Sequence, residues 1–326
     1  MDAEFGMSTL ALDVEAEADR IAGTIAEYAQ RVRRKGAVVA LSGGIDSSVV
    51  AGLVTRALGP ERVFGLHMPE RDSSPETLEI SRSVSTAFGF DSALEDITPV
   101  LDAVGAYRRR DDAIRLVCPE YGEGYRSKIV LPSVIDSDTF RLYSVVVMDP
   151  SGEQQRYRLT PEAYLGIVAA TNFKQRARKM FEYYHADRLN YVTTGTPNRL
   201  EYDQGFFVKL GDGSADIKPI AHLYKTQVYQ LAEFLGVPEE VRSRPSTTDT
   251  YSLPQSQEEF YFSLPHDRMD LCLYAHNNGI DAATAAAAVD LSPEQVQRVF
   301  NDIDQKRRTT AYLHEPPVLA GQIPEL

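Results

Sequence analysis

Ser42, Asp46, Ser47 and Ser48 surround a glycine pair in the run Ser42-Gly43-Gly44-Ile45-Asp46-Ser47-Ser48, directly after the apolar residues 38–41. The β-branched and apolar bulk of 38–41 suits a buried parallel strand. Gly43 and Gly44 allow a sharp turn and close approach to a ligand. The residues after them open a helix over about 47–58, whose free N–H groups and positive dipole end favour an anion. The run lacks the Lys and Ser/Thr that close a Walker A loop and carries an acid instead. That exchange suggests a loop built for Mg²⁺ together with pyrophosphate. The plain alternative is an ordinary strand-to-helix turn.

Composition narrows the class. A chain of 326 residues can bury one large core. Its net charge of −13 argues against a nucleic-acid surface, which would show a basic stripe. Cys118 and Cys272 lie far apart without a C-x-x-C, so neither a disulfide framework nor a zinc site is indicated. The six histidines show no metal-ligand spacing. Apolar runs are too short to span a membrane and no signal pattern opens the chain, so a cytoplasmic protein is expected. Residues 1–6 precede a second Met and read as an appended remnant, leaving 7–326 as a single domain.

Strand and helix signals alternate in the order expected of a doubly wound, mostly parallel α/β sheet with ligands at the carboxyl ends of its strands. An amphipathic helix covers residues 10–34, with strands expected at 62–68, 93–97 and 191–194. Helices are expected from Pro75 to about 88 and over 161–188, 223–235, 282–288 and 293–308. Residues 105–160 interrupt this alternation. There Asp149-Pro150-Ser151-Gly152 joins two β-rich runs, 141–148 and 155–159, giving an inserted β-hairpin. The insertion is either a surface embellishment or a lid over a binding site.

The glycine-rich loop resembles that of the PP-loop ATP pyrophosphatases, which split ATP into AMP and pyrophosphate to activate an oxygen. Later segments narrow the likeness. The helix segment Asn172-Phe173-Lys174-Gln175-Arg176-Ala177-Arg178-Lys179-Met180, the segment Gly195-Thr196-Pro197-Asn198-Arg199-Leu200-Glu201 and the run from Gly205 through Lys209, Gly211, Asp212 and Gly213 to Asp216 resemble ordered motifs of the NAD synthetases. Leu223-Tyr224-Lys225-Thr226-Gln227 and Arg244-Pro245-Ser246 continue the match, which covers about 20–104 and 161–320. The resemblance implies an ammonia-dependent NAD synthetase that converts deamido-NAD, ATP and ammonia to NAD, AMP and pyrophosphate through an acyl-adenylate, working as a homodimer. It implies Asp46 and Glu201 as Mg²⁺ ligands and Lys225 as a third catalytic group. Ser42, Gly43, Gly44, Ser47, Thr196 and Ser246 would hold ATP, and Asn172, Arg176, Lys209, Asp212 and Asp216 the dinucleotide substrate.

Taken singly, these residues have plainer readings: Asp212 and Asp216 as turn formers, Arg176 as part of a solvated face, Lys225 as a surface lysine. Their ordered combination favours the ligand roles. Two departures touch the acceptor more than the adenylation. The insertion replaces a short connection, and Gln255-Ser256-Gln257-Glu258-Glu259-Phe260 stands where the family carries Q-[ST]-D-E-x-x-L-G. A relative that amidates a different carboxylate therefore stays open as the alternative. With 41 residues ahead of Ser42 and no nucleophile context at either cysteine, ammonia and not glutamine is the expected nitrogen source.

Overall fold

A computed structural model describes residues 5–131, 133–135, 143–245, 250–321 and 323. Its centre is β1 (Ala37–Ala40), whose small and β-branched side chains let helices pack on both faces. Parallel partners flank it, β2 (Val63–His67) on one side and β7 (Val192–Thr193) on the other. The register sets Ala37 opposite both Val63 and Val192. β3 (Asp91–Leu94) extends the sheet beyond β2, giving the order β3-β2-β1-β7. The chain leaves β1 toward β2 but returns to β7 on the opposite side, so a crevice opens at the carboxyl ends of β1 and β7.

Alternate residues of β1 serve different layers. Ala37 and Val39 join a core with α1 (Val14–Arg31), α2 (Ile45–Leu58), α3 (Pro75–Phe88) and, later in the chain, α8 (Lys225–Phe234). Val38 faces the other way. It joins Leu66 in a core with α4 (Thr98–Ala103), α5 (Ala106–Arg115) and the long α6 (Pro161–Leu189). This is the doubly wound α/β fold expected from the alternation. The third strand ends at Leu94 and not at 97, because Asp96 turns to accept from the Thr98 N–H at 2.9 Å and starts α4.

The insertion holds a three-stranded antiparallel sheet of β4 (Arg126–Val130), β5 (Ser144–Met148) and β6 (Gln154–Arg158). The expected hairpin is its β5–β6 half, although residues 141 and 142 of that run lie outside the described residues. Asp149 makes the turn, accepting from the N–H groups of Ser151 at 2.8 Å and Glu153 at 3.0 Å. A lone hairpin is marginal in water. Here Ile129 of β4 joins Val145 and Val147 of β5 in a core with Ile114 of α5 and Ile167 of α6.

The C-terminal part closes the crevice from the far side. α7 (Arg199–Gln204), α10 (His266–Asn277), α11 (Ala282–Val289) and α12 (Pro293–His314) share one apolar cluster, while the short α9 (Glu239–Arg242) packs with α2 and α8. α12 runs past the expected end near residue 308. Lys209 caps it by donating to the carbonyls of Tyr312 at 2.6 Å and Glu315 at 3.0 Å. Among the described residues, no helix is long and apolar enough to cross a membrane.

Candidate active site

The glycine-rich turn after β1 is held by its own hydroxyls. Ser47 Oγ donates to Gly44 O at 3.0 Å and lies 3.2 Å from Ser42 Oγ, and Ser48 Oγ donates to the same carbonyl at 2.9 Å. Gly43 sits at φ +72°, and a Cβ there would lie 2.9 Å from the Thr77 carbonyl oxygen. Only glycine fits. Gly44 caps α2 without a side chain, so the first N–H groups of the helix face the crevice free of any side-chain cap. The crevice has a volume of roughly 400 Å³, and Ser42, Gly43, Gly44, Asp46 and Ser47 line one end of it.

Two carboxylates and an ammonium meet beside this turn. Asp46 comes from the first turn of α2, Glu201 from α7, and Lys225 is the first residue of α8. Lys225, 2 % exposed, is ion-paired with Asp46. Its helix start is held by Asp270, which accepts from the N–H groups of Lys225 at 3.2 Å and Thr226 at 2.7 Å. Burial pushes that Asp270 carboxyl up to about 7. Glu201 caps the loop after β7 from inside. Its Oε2 accepts from the Asn198 N–H at 3.1 Å while Asn198 Oδ1 accepts from the Glu201 N–H at 3.2 Å, a reciprocal capping box. The Asn198 side-chain amide donates to Asp46 Oδ1 at 3.0 Å, and Gln257 donates to Glu201 Oε1 at 3.0 Å.

Burial, then the charge of Asp46, drive the Glu201 carboxyl well above the usual carboxylate range, with Lys225 opposing. Two half-buried carboxylates thus face a single ammonium, an excess of negative charge that a divalent cation would neutralise. Among the described residues no third acidic, histidine or cysteine ligand joins them. This suits Mg²⁺, which prefers oxygen ligands and takes one or two carboxylates while keeping waters and phosphate oxygens.

The other walls carry further charges. Lys174 on α6 is buried and donates to Glu70 at 2.8 Å, Asp72 at 2.9 Å and the Thr250 carbonyl at 2.9 Å. Arg110 of α5 donates to Asp72 at 2.7 Å, and Tyr107 donates to Glu70 at 2.7 Å. Asp212 lines the crevice near Lys179 and accepts from the Val208 N–H at 2.7 Å, with burial raising its carboxyl. His67, at the end of β2, meets Ser81 Oγ at 2.8 Å, and burial together with Arg82 holds its imidazole down to about 4.

The structure brings most of the expected residues together, but not all. Ser42, Gly43, Gly44, Asp46, Ser47, Asn172, Thr196, Glu201, Asp212 and Lys225 line the crevice. Ser246 lies outside the described residues. Asp216 is placed elsewhere: its carboxylate accepts from the N–H and hydroxyl of Thr193 at 2.7 and 3.1 Å, fastening its own segment to β7. Arg176 and Lys209 also stand apart. Arg176 is exposed and reaches the Lys209 carbonyl at 3.4 Å, while the half-buried Lys209 is spent on the end of α12. His222 pairs with Glu17 at 2.6 Å on the surface.

Gln257, Lys174 and His67 also line the crevice and Asn198 bonds to its two acids, although none of the four carried a site role in the sequence, and Gln257 only a place in the departing segment 255–260. Asn198 and Glu201 do form the N-x-x-E signature of a capping box, a readable signal. The partners of the other three lie 14 to 104 residues away along the chain, beyond the reach of any local pattern.

The chain matches the family model described as NAD synthase over residues 17–117 and 145–311. It is 56 % identical to the NH(3)-dependent NAD(+) synthetase of Rhizobium meliloti, over 99 % of this chain and 96 % of that protein. It is 58 % identical to the NH(3)-dependent NAD(+) synthetase of Mesorhizobium japonicum, over 97 % and 99 %. Among solved structures, the NH3-dependent NAD synthetase of Campylobacter jejuni matches with a TM-score of 0.62 at 22 % identity, covering 95 % of this chain and all of that one. That last likeness speaks to the fold. The glycine-rich turn, the paired carboxylates and the 56–58 % identity over nearly the full length agree: this chain belongs to the NAD synthase family.

Proposed function

We propose that the chain is an ATP-dependent amide ligase that makes NAD from deamido-NAD and ammonia, releasing AMP and pyrophosphate. The observation that carries this reading is the convergence of Asp46, Glu201 and Lys225 on the uncapped start of α2. Relatives at 56 % and 58 % identity over almost the whole chain favour deamido-NAD over a different carboxylate.

The reaction needs the α-phosphorus of ATP exposed to an attacking carboxylate, with the leaving pyrophosphate stabilised. Ser42, Gly43, Gly44 and Ser47 hold the triphosphate through hydroxyls and backbone N–H groups, and Thr196 and Ser246 add hydroxyls. Asp46 and Glu201 hold Mg²⁺, which when bound neutralises the phosphate oxygens and polarises phosphorus. Although burial works to discharge it, Lys225 is kept charged by the carboxylates of Asp46 and Glu201, ready to stabilise negative charge that develops on transfer. Ammonia then attacks the acyl carbon of the adenylate and displaces AMP. Asn172 and Asp212 contact the acceptor within the crevice.

Arg176 and Lys209 lie outside the crevice on a face that also exposes Met180, Tyr184 and Leu210. Such an apolar strip beside a guanidinium with no ion pair among the described residues suits contact with a second copy. A homodimer would bring Arg176 to a substrate phosphate at the shared face, which keeps the expected dinucleotide role for it and for Lys209. The small polar substrates and the unpaired buried cysteines suit a cytoplasmic enzyme.

The test supplies deamido-NAD, ATP and Mg²⁺ with either ammonium or glutamine, reading AMP, pyrophosphate and NAD. Neither cysteine is a glutaminase nucleophile, since both are buried and burial pushes the Cys272 thiol up to about 12. Ammonium is expected to support turnover and ammonia-free glutamine is not. AMP release with another carboxylate and none with deamido-NAD would overturn the reading.

A further inference from the structure

The insertion and the C-terminal loop are stitched together. Leu253 N–H donates to the Ser127 carbonyl at 3.2 Å, Ser127 N–H donates to Ser252 Oγ at 2.9 Å, and Arg126 Nε donates to the Ser252 carbonyl at 2.8 Å. Lys128 donates to Glu259 at 2.9 Å, and the buried Gln255 donates to the Ile129 carbonyl. All of these contacts come from β4. The loop so braced passes through a π-helical turn, Glu258–Phe262, and just before that turn it presents Gln257 to Glu201.

Gln257 stands where the resembled motif carries Asp. An acid there would bring another negative charge toward two half-buried carboxylates, whereas the amide donates to Glu201 Oε1 and adds none. Glu201 Oε2 is already turned by the Asn198 N–H. With one donor on each oxygen, the Glu201 carboxylate is fixed in orientation.

We infer that Gln257 is a positioning residue, held by the β4 brace, that aims the Glu201 carboxylate at the divalent cation. This rests on the reading of Glu201 as a cation ligand. Partners that orient a ligating carboxylate typically change metal affinity about 10- to 100-fold when removed. The insertion therefore acts on the catalytic end of the crevice through one side chain, without supplying a ligand itself.

The experiment titrates Mn²⁺ into the enzyme with a non-hydrolysable ATP analogue, followed by electron paramagnetic resonance, in the wild type, Gln257→Leu, Gln257→Asn and Glu201→Gln. Gln257→Leu is expected to weaken Mn²⁺ binding at least ~10-fold, with an unchanged melting temperature and circular dichroism. Gln257→Asn, which keeps an amide on a shorter stem, is expected to fall between Leu and wild type. Ser252→Ala, which loosens the brace, is expected to shift binding in the same direction by less. If Glu201→Gln weakens Mn²⁺ binding and Gln257→Leu does not, the positioning role is overturned. If Glu201→Gln leaves Mn²⁺ binding intact, the cation reading itself fails and the inference falls with it.

Discussion

Asn198 bonds to both acidic residues of the site at once: its side-chain amide donates to Asp46 at 3.0 Å and its backbone N–H donates to Glu201 at 3.1 Å. One residue at the start of α7 thereby sets the spacing of two carboxylates that arrive from different parts of the chain. Asp46→Asn and Glu201→Gln are each expected to cut turnover at least ~10²-fold, as loss of a main transition-state stabiliser does. Asn198→Ala is expected to cut it about 10-fold or more through misplacement of both carboxylates, and to lower stability by about 1 kcal/mol as the cap is lost. Steady-state rates of AMP formation beside denaturant melts check this. Wild-type rates in Asn198→Ala would show that the carboxylates are spaced without it.

Among the described residues, Lys174 is the one cation bonded to both Glu70 and Asp72, although Arg110 shares Asp72. Its removal leaves the Glu70 carboxylate, among the described residues, with the Tyr107 hydroxyl alone. Breaking a buried charge cluster from one side commonly costs about 3–5 kcal/mol. Lys174→Met is expected to lose about that much in urea unfolding. A loss below about 1 kcal/mol would mean that water reaches these carboxylates.

His67 makes stability depend on pH. Its imidazole is held down to about 4 in the folded chain against an ordinary 6.5, so between those values the unfolded chain binds a proton that the folded one does not. Stability from this group is complete above about pH 6.5 and is lost progressively as pH falls toward 4. Urea midpoints measured from pH 7.5 to 4.5 are expected to fall, and to fall less steeply in His67→Gln. Equal slopes in the two proteins would place the effect on other groups.

Tyr143 is the residue of the insertion that reaches the crevice, among the described residues. Its ring stacks on Tyr164 with centroids 4.2 Å apart at 18°. Deleting residues 108–158 is a poor test of a lid, because it would remove Arg110 from Asp72 and Ile114 from the core. Tyr143→Ala keeps both. Losing one aromatic face is worth about 0.5–1.5 kcal/mol, so the KM for the acceptor is expected to rise about 2- to 10-fold while the KM for ATP holds. If neither constant moves, the insertion acts only as structure and as the brace of the C-terminal loop.

The local geometry of this protein was legible in its sequence. The strand, glycine turn and helix of 38–58 could be read directly, because each requirement there is met by neighbours in the chain. The strand–helix alternation likewise specified the doubly wound sheet, since hydrophobic period is a local property. The meeting of Asp46 with Lys225 and Glu201 was foreseen only through resemblance, since the Lys225 partner lies 179 residues away. Three outcomes needed the folded chain. Asp216 went to Thr193 because the strand end it borders offered an N–H and a hydroxyl at bonding distance. Arg176 fell outside the crevice because helical phase on α6 turns position 176 outward while 174 and 177 are buried, and Lys209 because its ammonium is taken up by the carbonyls at the end of α12. Gln257 reached Glu201 because strand pairing within the insertion fixed where the loop runs. Hydrogen bonds within a few residues are written in sequence order, whereas those between distant segments are set by packing, and packing decided which carboxylates share a proton donor.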